Sequence, residues 1–289
     1  MTLKSAFAAV AAQEDLNFLL TNRIPRIAFS RAMGRISKVR HPLVSRPSIA
    51  MWRFFCDVDL SDAAEKAFPS LHAAFTRPLK AGARAIDHRR DIVISPCDAI
   101  VGAHGRIAGG QVHQIKGFPY TLADLLGDAS DAAEFEGGSF VTLRLTAGMY
   151  HRFHAPYDLT VEAVRYISGD TWNVNPIALK RVERLYCKNE RAPIRARLDA
   201  GGQRLVLVPV AAVLVSSIRL PFLDAEKTVR DDGERVTPCN APFRKGDEMG
   251  WFEHGSTIVV LAPEGMTLAA GLEEGRHIRL GEPLMQLPD

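Results

Sequence analysis

The sequence predicts an α+β protein, rich in β-structure, with its helices at the N-terminus. Three observations carry that reading. The early part of the chain has helical texture; from Asp91 onward it breaks into short β-prone runs punctuated by turns; and 289 residues at 47% apolar content can bury a sizeable core in one or two domains. Taken in order, a helix is expected after Pro25, a good first-turn residue, where Phe29, Met33 and Ile36 recur at i, i+4 and i+7. Arg31, Arg35 and Lys38 repeat that spacing on the opposite face. This is an interfacial pattern, apolar side chains for the acyl boundary and cations for anionic headgroups, although a surface helix docked on the core shows it too. Asp59 to Leu79 reads as helical, with Asp62 near its start and breaks at Pro69 and Pro78. Strands are expected at residues 92–94, 99–101, 140–145, 160–164, 205–208, 210–218 and 257–261, several of them alternating in and out.

Composition excludes several classes. Four cysteines, at 56, 97, 187 and 239, show no Cys-x-x-Cys spacing and are expected to be reduced thiols, with neither a zinc ribbon nor a disulfide framework. The first fifteen residues hold too short an apolar stretch to read as a secretory leader. The longest apolar run, 205–215, contains Pro209 and falls well short of the roughly 20 residues a spanning helix needs. Residues 1–50 carry eight basic residues against Glu14 and Asp15, in a chain whose total is only +3, so the excess positive charge is N-terminal. A basic arm raises nucleic acid, but no helix-turn-helix, zinc finger or aromatic-interleaved stripe accompanies it, and no nucleic-acid partner is expected. Gly102, Gly105 and Gly109 do not fit either nucleotide-binding loop.

The chemistry concentrates at Gly255-Ser256-Thr257. A serine hydroxyl can attack the preceding carbonyl and turn the amide into an ester. Elimination across the serine Cα–Cβ bond then cleaves that ester, and hydrolysis of the dehydroalanine releases ammonia and leaves a pyruvoyl group on residue 256. Such a group is a covalent electron sink for an amine substrate that loses carbon dioxide. Glycine before the cut tolerates the backbone angles this approach demands. Alone, Gly-Ser-Thr is also a common turn.

It does not stand alone. Phe75-Thr-Arg-Pro-Leu-Lys80, Ser95-Pro-Cys-Asp-Ala-Ile-Val101, Tyr150-His-Arg-Phe-His-Ala-Pro156 and Gly255-Ser256-Thr257, in this order and at this spacing, resemble the phosphatidylserine decarboxylase family. The likeness also takes in Gln114–Gly117 with Tyr120–Gly127, Gly169-Asp170 with Val174-Asn175-Pro176, Asn189-Glu-Arg191, Lys245–Gly250 and Leu280–Leu284. It implies a mostly antiparallel β-body related to lipoyl-type and hybrid-motif barrels. It also implies decarboxylation of phosphatidylserine to phosphatidylethanolamine in phospholipid biosynthesis, by a precursor that cuts itself between Gly255 and Ser256. Residues 1–69 would form a helical, basic, membrane-associating region and residues 70–289 the catalytic domain. The partners implied are phosphatidylserine, the anionic surface of the cell membrane on its cytoplasmic side, and the cleaved small chain 256–289, which forms a heterodimer with 1–255; a dimer of such heterodimers is compatible with this.

By the same resemblance Asp98, His154 and Ser256 match a self-cleavage triad, in which the imidazole takes the hydroxyl proton and the carboxylate fixes its tautomer. His151 would serve decarboxylation, as an acid or as a contact to the headgroup, and Val174 would wall the pocket. His151 and His154 form His-x-x-His, but on a strand i and i+3 point to opposite faces and no third ligand is near, so no metal is expected. The chain departs from the family pattern at His254, where an apolar residue is usual, and at Ala99, Ala211 and Ser216, where glycines are usual. Two other readings stay open: a pyruvoyl decarboxylase of a soluble amino acid, and a lipid-binding homologue that no longer processes.

Overall fold

The computed structural model describes residues 13–23, 25–114, 118–213, 217–253 and 256–288. Its first part is helical: α1 (Glu14–Asn22), α2 (Arg26–Ser37), α3 (Pro42–Cys56) and α4 (Leu71–Phe75). Gln13 caps α1 through the Leu16 N–H, and Glu14 and Asp15 lie at the positive end of its dipole. Pro42 fills the first turn of α3, which stops at Asp57 in the left-handed conformation, φ 48°. The helix expected over 59–79 shrinks to the five residues of α4. The Asp59 carboxylate accepts the Ser61 N–H at 2.8 Å and its hydroxyl at 2.9 Å, a local turn that competes with helix, and α4 begins only where the Ser70 hydroxyl accepts the Ala73 N–H at 3.1 Å.

The β-body consists of β1 (Ile92–Ile94), β2 (Ala99–Arg106), β3 (Gln111–His113), β4 (Pro119–Thr121), β5 (Ser139–Leu145), β6 (Arg152–His154), β7 (Leu159–Tyr166), β8 (Ile194–Leu198), β9 (Arg204–Ala211), β10 (Ile218–Arg219), β11 (Arg235–Phe243), β12 (Glu248–Phe252), β13 (Ser256–Ala262), β14 (Thr267–Leu268), β15 (His277–Ile278) and β16 (Pro283–Gln286). Their named pairings are antiparallel, as the resemblance implied. The main sheet runs β11-β7-β8-β9-β13-β5-β2-β15, flanked by β1-β16-β14 and β10-β12-β6, with β3-β4 as a separate hairpin. Among the described residues the main sheet has two edges, β11 and β15, and closes no barrel.

Alternation explains how this sheet is buried on both faces. Val141, Leu143, Leu205, Leu207, Ile258 and Val260 face a core completed by the smaller sheets, through Phe153, Phe252 and Met285. Phe140, Val206, Val208, Val259 and Leu261 face a second core built with Tyr120, Leu125, Leu179 and Tyr186. That is why β9 and β13 read as unbroken apolar runs. Pro209 does not end β9, although the sequence divides a strand there. The last paired residue of β8 is Ile194 opposite Leu207, so Pro209 lies beyond it, where its missing N–H breaks no ladder bond and its carbonyl accepts the Ala192 N–H at 3.0 Å. The rest of the strand expected at 210–218 is Val210 and Ala211 at the end of β9 and Ile218 in β10; residues 214–216 lie outside the described residues.

The helical arm carries an unusual surface. Among the described residues the exposed large apolar side chains are Leu16, Leu19, Leu20, Phe29, Ile36, Val39, Leu43, Val44, Met51 and Phe54, with Val236 the one outside the arm. On α2, Phe29 and Ile36 face outward, whereas Ser30 and Ser37 are buried and Met33 turns into a cavity. Arg31 and Arg35 are exposed, as expected. Lys38 is not free for headgroups: its ammonium bonds both oxygens of the buried Glu253 carboxylate, at 3.1 and 3.3 Å.

Candidate active site

Ser256 is the first residue of β13, at the centre of the main sheet, opposite Leu145 of β5 and Ala211 of β9. It is fully buried, and its hydroxyl has no hydrogen-bond partner among the described residues. A buried unsatisfied hydroxyl costs about 1–3 kcal/mol, and a folded chain that keeps one invites a chemical explanation. Ser256 opens on a cavity of about 630 Å³, walled by Val174, Arg144, Phe75 of α4, and Trp52, Phe55 and Met51 of α3. Helices of the basic arm therefore form one wall and the reactive strand another. His254 and Gly255, and with them the expected site of the cut, lie outside the described residues, as does Ser216.

The other proposed residues fall into two groups. Val174 lines the cavity with Ser256. His151 is fully buried, and its ring packs on Phe75 of the cavity wall with centroids 3.9 Å apart. His154 and Asp98 belong to neighbouring segments, joined where the His154 N–H donates to the Pro96 carbonyl at 2.8 Å. Their side chains do not bond one another, and neither bonds Ser256. The Asp98 carboxylate takes a two-pronged contact from Arg84, Nε to Oδ1 at 2.9 Å and Nη2 to Oδ2 at 2.5 Å, together with the Leu280 N–H at 2.9 Å. Arg84 is itself anchored on Asp62 at 2.7 Å. The Ser95-Pro-Cys-Asp98 motif is thus held by a guanidinium whose only mark in the sequence is a lone arginine among small residues at Ala81–Ala85.

His154 is held in one tautomer. Its Nδ1 lies 2.8 Å from the Gly246 carbonyl, which only accepts, so Nδ1 carries the proton and Nε2 the lone pair. The Tyr150 hydroxyl then donates to Nε2 at 2.9 Å. Burial lowers the His154 pKa from the ordinary 6.5, against the smaller raising effect of the Gly246 bond, so the ring is kept neutral and able to act as a base. Burial likewise pushes the Tyr150 phenol well above its usual range, keeping it a donor. Tyr150 opens the Tyr150–Pro156 motif, but the sequence alone gives it no part.

Two features fix the approach to Ser256. In β12, Gly250 lies so close to the Arg219 carbonyl that a Cβ would sit 2.2 Å from that oxygen. Glu253, just beyond β12, is clasped by Lys38 from the arm and by Arg219 from β10, whose Nε is 3.3 Å away. The arm is thereby tied to the chain three residues before Ser256.

Comparison with known proteins agrees with this geometry. The phosphatidylserine decarboxylase family model matches residues 71–286, and the chain belongs to that family. It is 32% identical over 290 residues to the phosphatidylserine decarboxylase proenzyme of Shewanella baltica (strain OS155), covering 96% of this chain and 98% of that one. It is 33% identical over 274 residues to the proenzyme of Myxococcus xanthus, covering 93% and 97%, and 35% identical over 272 residues to that of Anaeromyxobacter (strain K), covering 90% and 94%.

Proposed function

We propose that this chain is a precursor that cuts itself between Gly255 and Ser256 and then decarboxylates phosphatidylserine to phosphatidylethanolamine. One observation carries the reading: an unpartnered, buried serine hydroxyl at the head of a central strand, opening on an apolar cavity walled by the basic arm. The residues fit the pyruvoyl group that such a cut would leave on residue 256. When formed, that group supplies an electron sink for the amine substrate. The chain's own residues do the rest. His154, neutral and half-buried, is the base for the Ser256 hydroxyl once its lone pair is released from Tyr150, and Asp98, fixed by Arg84, supports the imidazolium. Val174 and Phe75 give the headgroup an apolar wall, which favours loss of carboxylate charge as carbon dioxide forms. His151, packed on Phe75 of the cavity wall, would serve as the substrate's acid or headgroup contact.

The same reading divides the chain at residue 69, into a membrane-associating arm and a catalytic body of lipoyl and hybrid-motif type. The exposed apolar side chains of the arm, with Arg31 and Arg35 among them, suit the anionic cytoplasmic face of the cell membrane. No helix among the described residues is long and apolar enough to cross a membrane, so the attachment would be peripheral. Denaturing electrophoresis with intact-mass measurement tests the function directly. Two chains are expected, the smaller beginning at residue 256 with a blocked, pyruvoyl-mass start, and release of carbon dioxide from phosphatidylserine vesicles. A single uncut chain in active protein would overturn the mechanism.

A further inference from the structure

Among the described residues, Arg144 is a charge without a partner in an apolar cavity. It lies on β5, between Thr257 of β13 and Ile100 of β2, next to Leu145, the register partner of Ser256. It lines the same cavity as Ser256 and Val174. The other withdrawn arginines are engaged: Arg84 holds two carboxylates, Arg152 holds Glu248 at 2.6 Å, and Arg191 donates to four backbone carbonyls. The half-buried guanidinium of Arg144 has no ion pair or hydrogen bond among the described residues. Burial works against its charge, lowering its pKa from the ordinary value, yet an arginine stays charged under all working conditions. Withdrawing such a group from water is unfavourable unless an anion completes it, and an apolar wall strengthens the attraction when one arrives.

We infer that Arg144 binds the phosphodiester of the substrate headgroup inside the reactive cavity; this rests on the lipid reading given above. The substrate offers two anions, and the chemistry chooses between them. A guanidinium clamped on the carboxylate would stabilise the charge that must be discharged, and would slow the loss of carbon dioxide. The phosphodiester keeps its charge throughout. An ion pair to it is equal in ground and transition states, so it strengthens binding and leaves the chemical step alone. The planar fork of an arginine also matches two phosphate oxygens.

The test reads KM against kcat on the cleaved enzyme, with phosphatidylserine in mixed micelles. Arg144→Gln should raise KM by roughly 10- to 100-fold with kcat within about twofold, and Arg144→Lys should fall between. Water-soluble competitors separate the two anions without any variant. Glycerophosphoserine and glycerophosphoethanolamine should inhibit the wild type, free serine should not, and Arg144→Gln should escape the first two. A wild-type KM in Arg144→Gln, or serine competing as well as glycerophosphoserine, would overturn the inference. Should the glutamine variant fail to fold, the competition in wild type still decides it. A wild type that releases no carbon dioxide from phosphatidylserine would instead sink the lipid reading on which the inference stands.

Discussion

Replacing Tyr150 with phenylalanine should make self-cleavage faster on its plateau yet more sensitive to acid. The hydroxyl donates to Nε2 of His154 at 2.9 Å, on the lone pair that accepts the Ser256 proton in the proposed mechanism. One such bond is worth about 1 kcal/mol net, so freeing the lone pair could accelerate cleavage by up to roughly fivefold. The same bond exists only while Nε2 is unprotonated, so it favours the neutral ring. Its loss raises the His154 pKa, which burial had lowered from 6.5, and the acidic limb of cleavage moves up by about 0.7 of a pH unit. Glu248 on β12, Arg152 on β6 and Asp98 ahead of β2 face the ring and remain in place, so the shift reports Tyr150 alone. The assay is precursor made by cell-free translation, transferred to buffers from pH 5 to 8 and followed on denaturing gels. A variant slower than wild type at every pH, with its acidic limb unmoved, would show that Tyr150 orients rather than masks the base.

Other substitutions probe the rest of the site. Ser256→Ala should stay uncut and inactive and unfold no earlier than the wild-type precursor in urea, because it deletes a buried hydroxyl that lacks a partner; a loss above about 1 kcal/mol would contradict that description. Gly250→Ala should destabilise the precursor by more than about 2 kcal/mol and slow cleavage, since its Cβ would meet the Arg219 carbonyl at 2.2 Å and the Phe153 ring at 2.9 Å; an unchanged urea midpoint would refute the close approach. Arg31→Gln with Arg35→Gln should weaken binding to anionic vesicles by about 2 kcal/mol, near 30-fold, with the difference fading toward ~1 M salt and self-cleavage unaffected. Equal vesicle binding of the double variant and wild type at low salt would leave these two arginines as ordinary surface charge.

Strands β9 and β13 were legible because burial on both faces leaves unmistakable runs, as in Val206–Val210 and Ile258–Leu261, whereas β8, β11 and β12, with charged or proline residues among their apolar ones, were not. The helix at 59–79 was misjudged because propensity does not register an Asp59–Ser61 side-chain turn, which removes the first turn before it can propagate. On α2 the apolar periodicity left two faces open to docking, since period alone cannot say which one packs; the outward, interfacial direction holds for Phe29 and Ile36, and Met33 alone turns into the cavity. Small residues, Ser30, Gly34 and Ser37, take the buried side and turn Phe29 and Ile36 outward. The site was legible as residue types and order. Arg84, Tyr150 and Arg144 were not, because an arginine's or tyrosine's part depends on which oxygen or nitrogen the fold brings to it: the partners of Arg84 lie 14 and 22 residues away in sequence, and that of Arg144, by the inference above, is the substrate.

The position proposed for the cut also follows from the sheet. Ser256 begins a strand whose seven residues are paired with β5 on one side, and whose first six are paired with β9 on the other. Beyond it, β15 pairs with β2, and β16 pairs with β1. The 34 residues that follow the scissile bond are therefore stitched into two sheets by main-chain bonds that the cut does not touch. On the other side of the bond, Glu253 is held by Lys38 and Arg219, so both new ends are anchored within three residues of the break. Cleavage at this place severs one covalent link and leaves the packed strands in position around the cavity. A cut inside β13 would instead remove ladder bonds from the centre of the main sheet and expose its two cores together. The junction between β12 and β13 is where a chain of this fold can break its own backbone beside the cavity and keep the wall that the reaction requires.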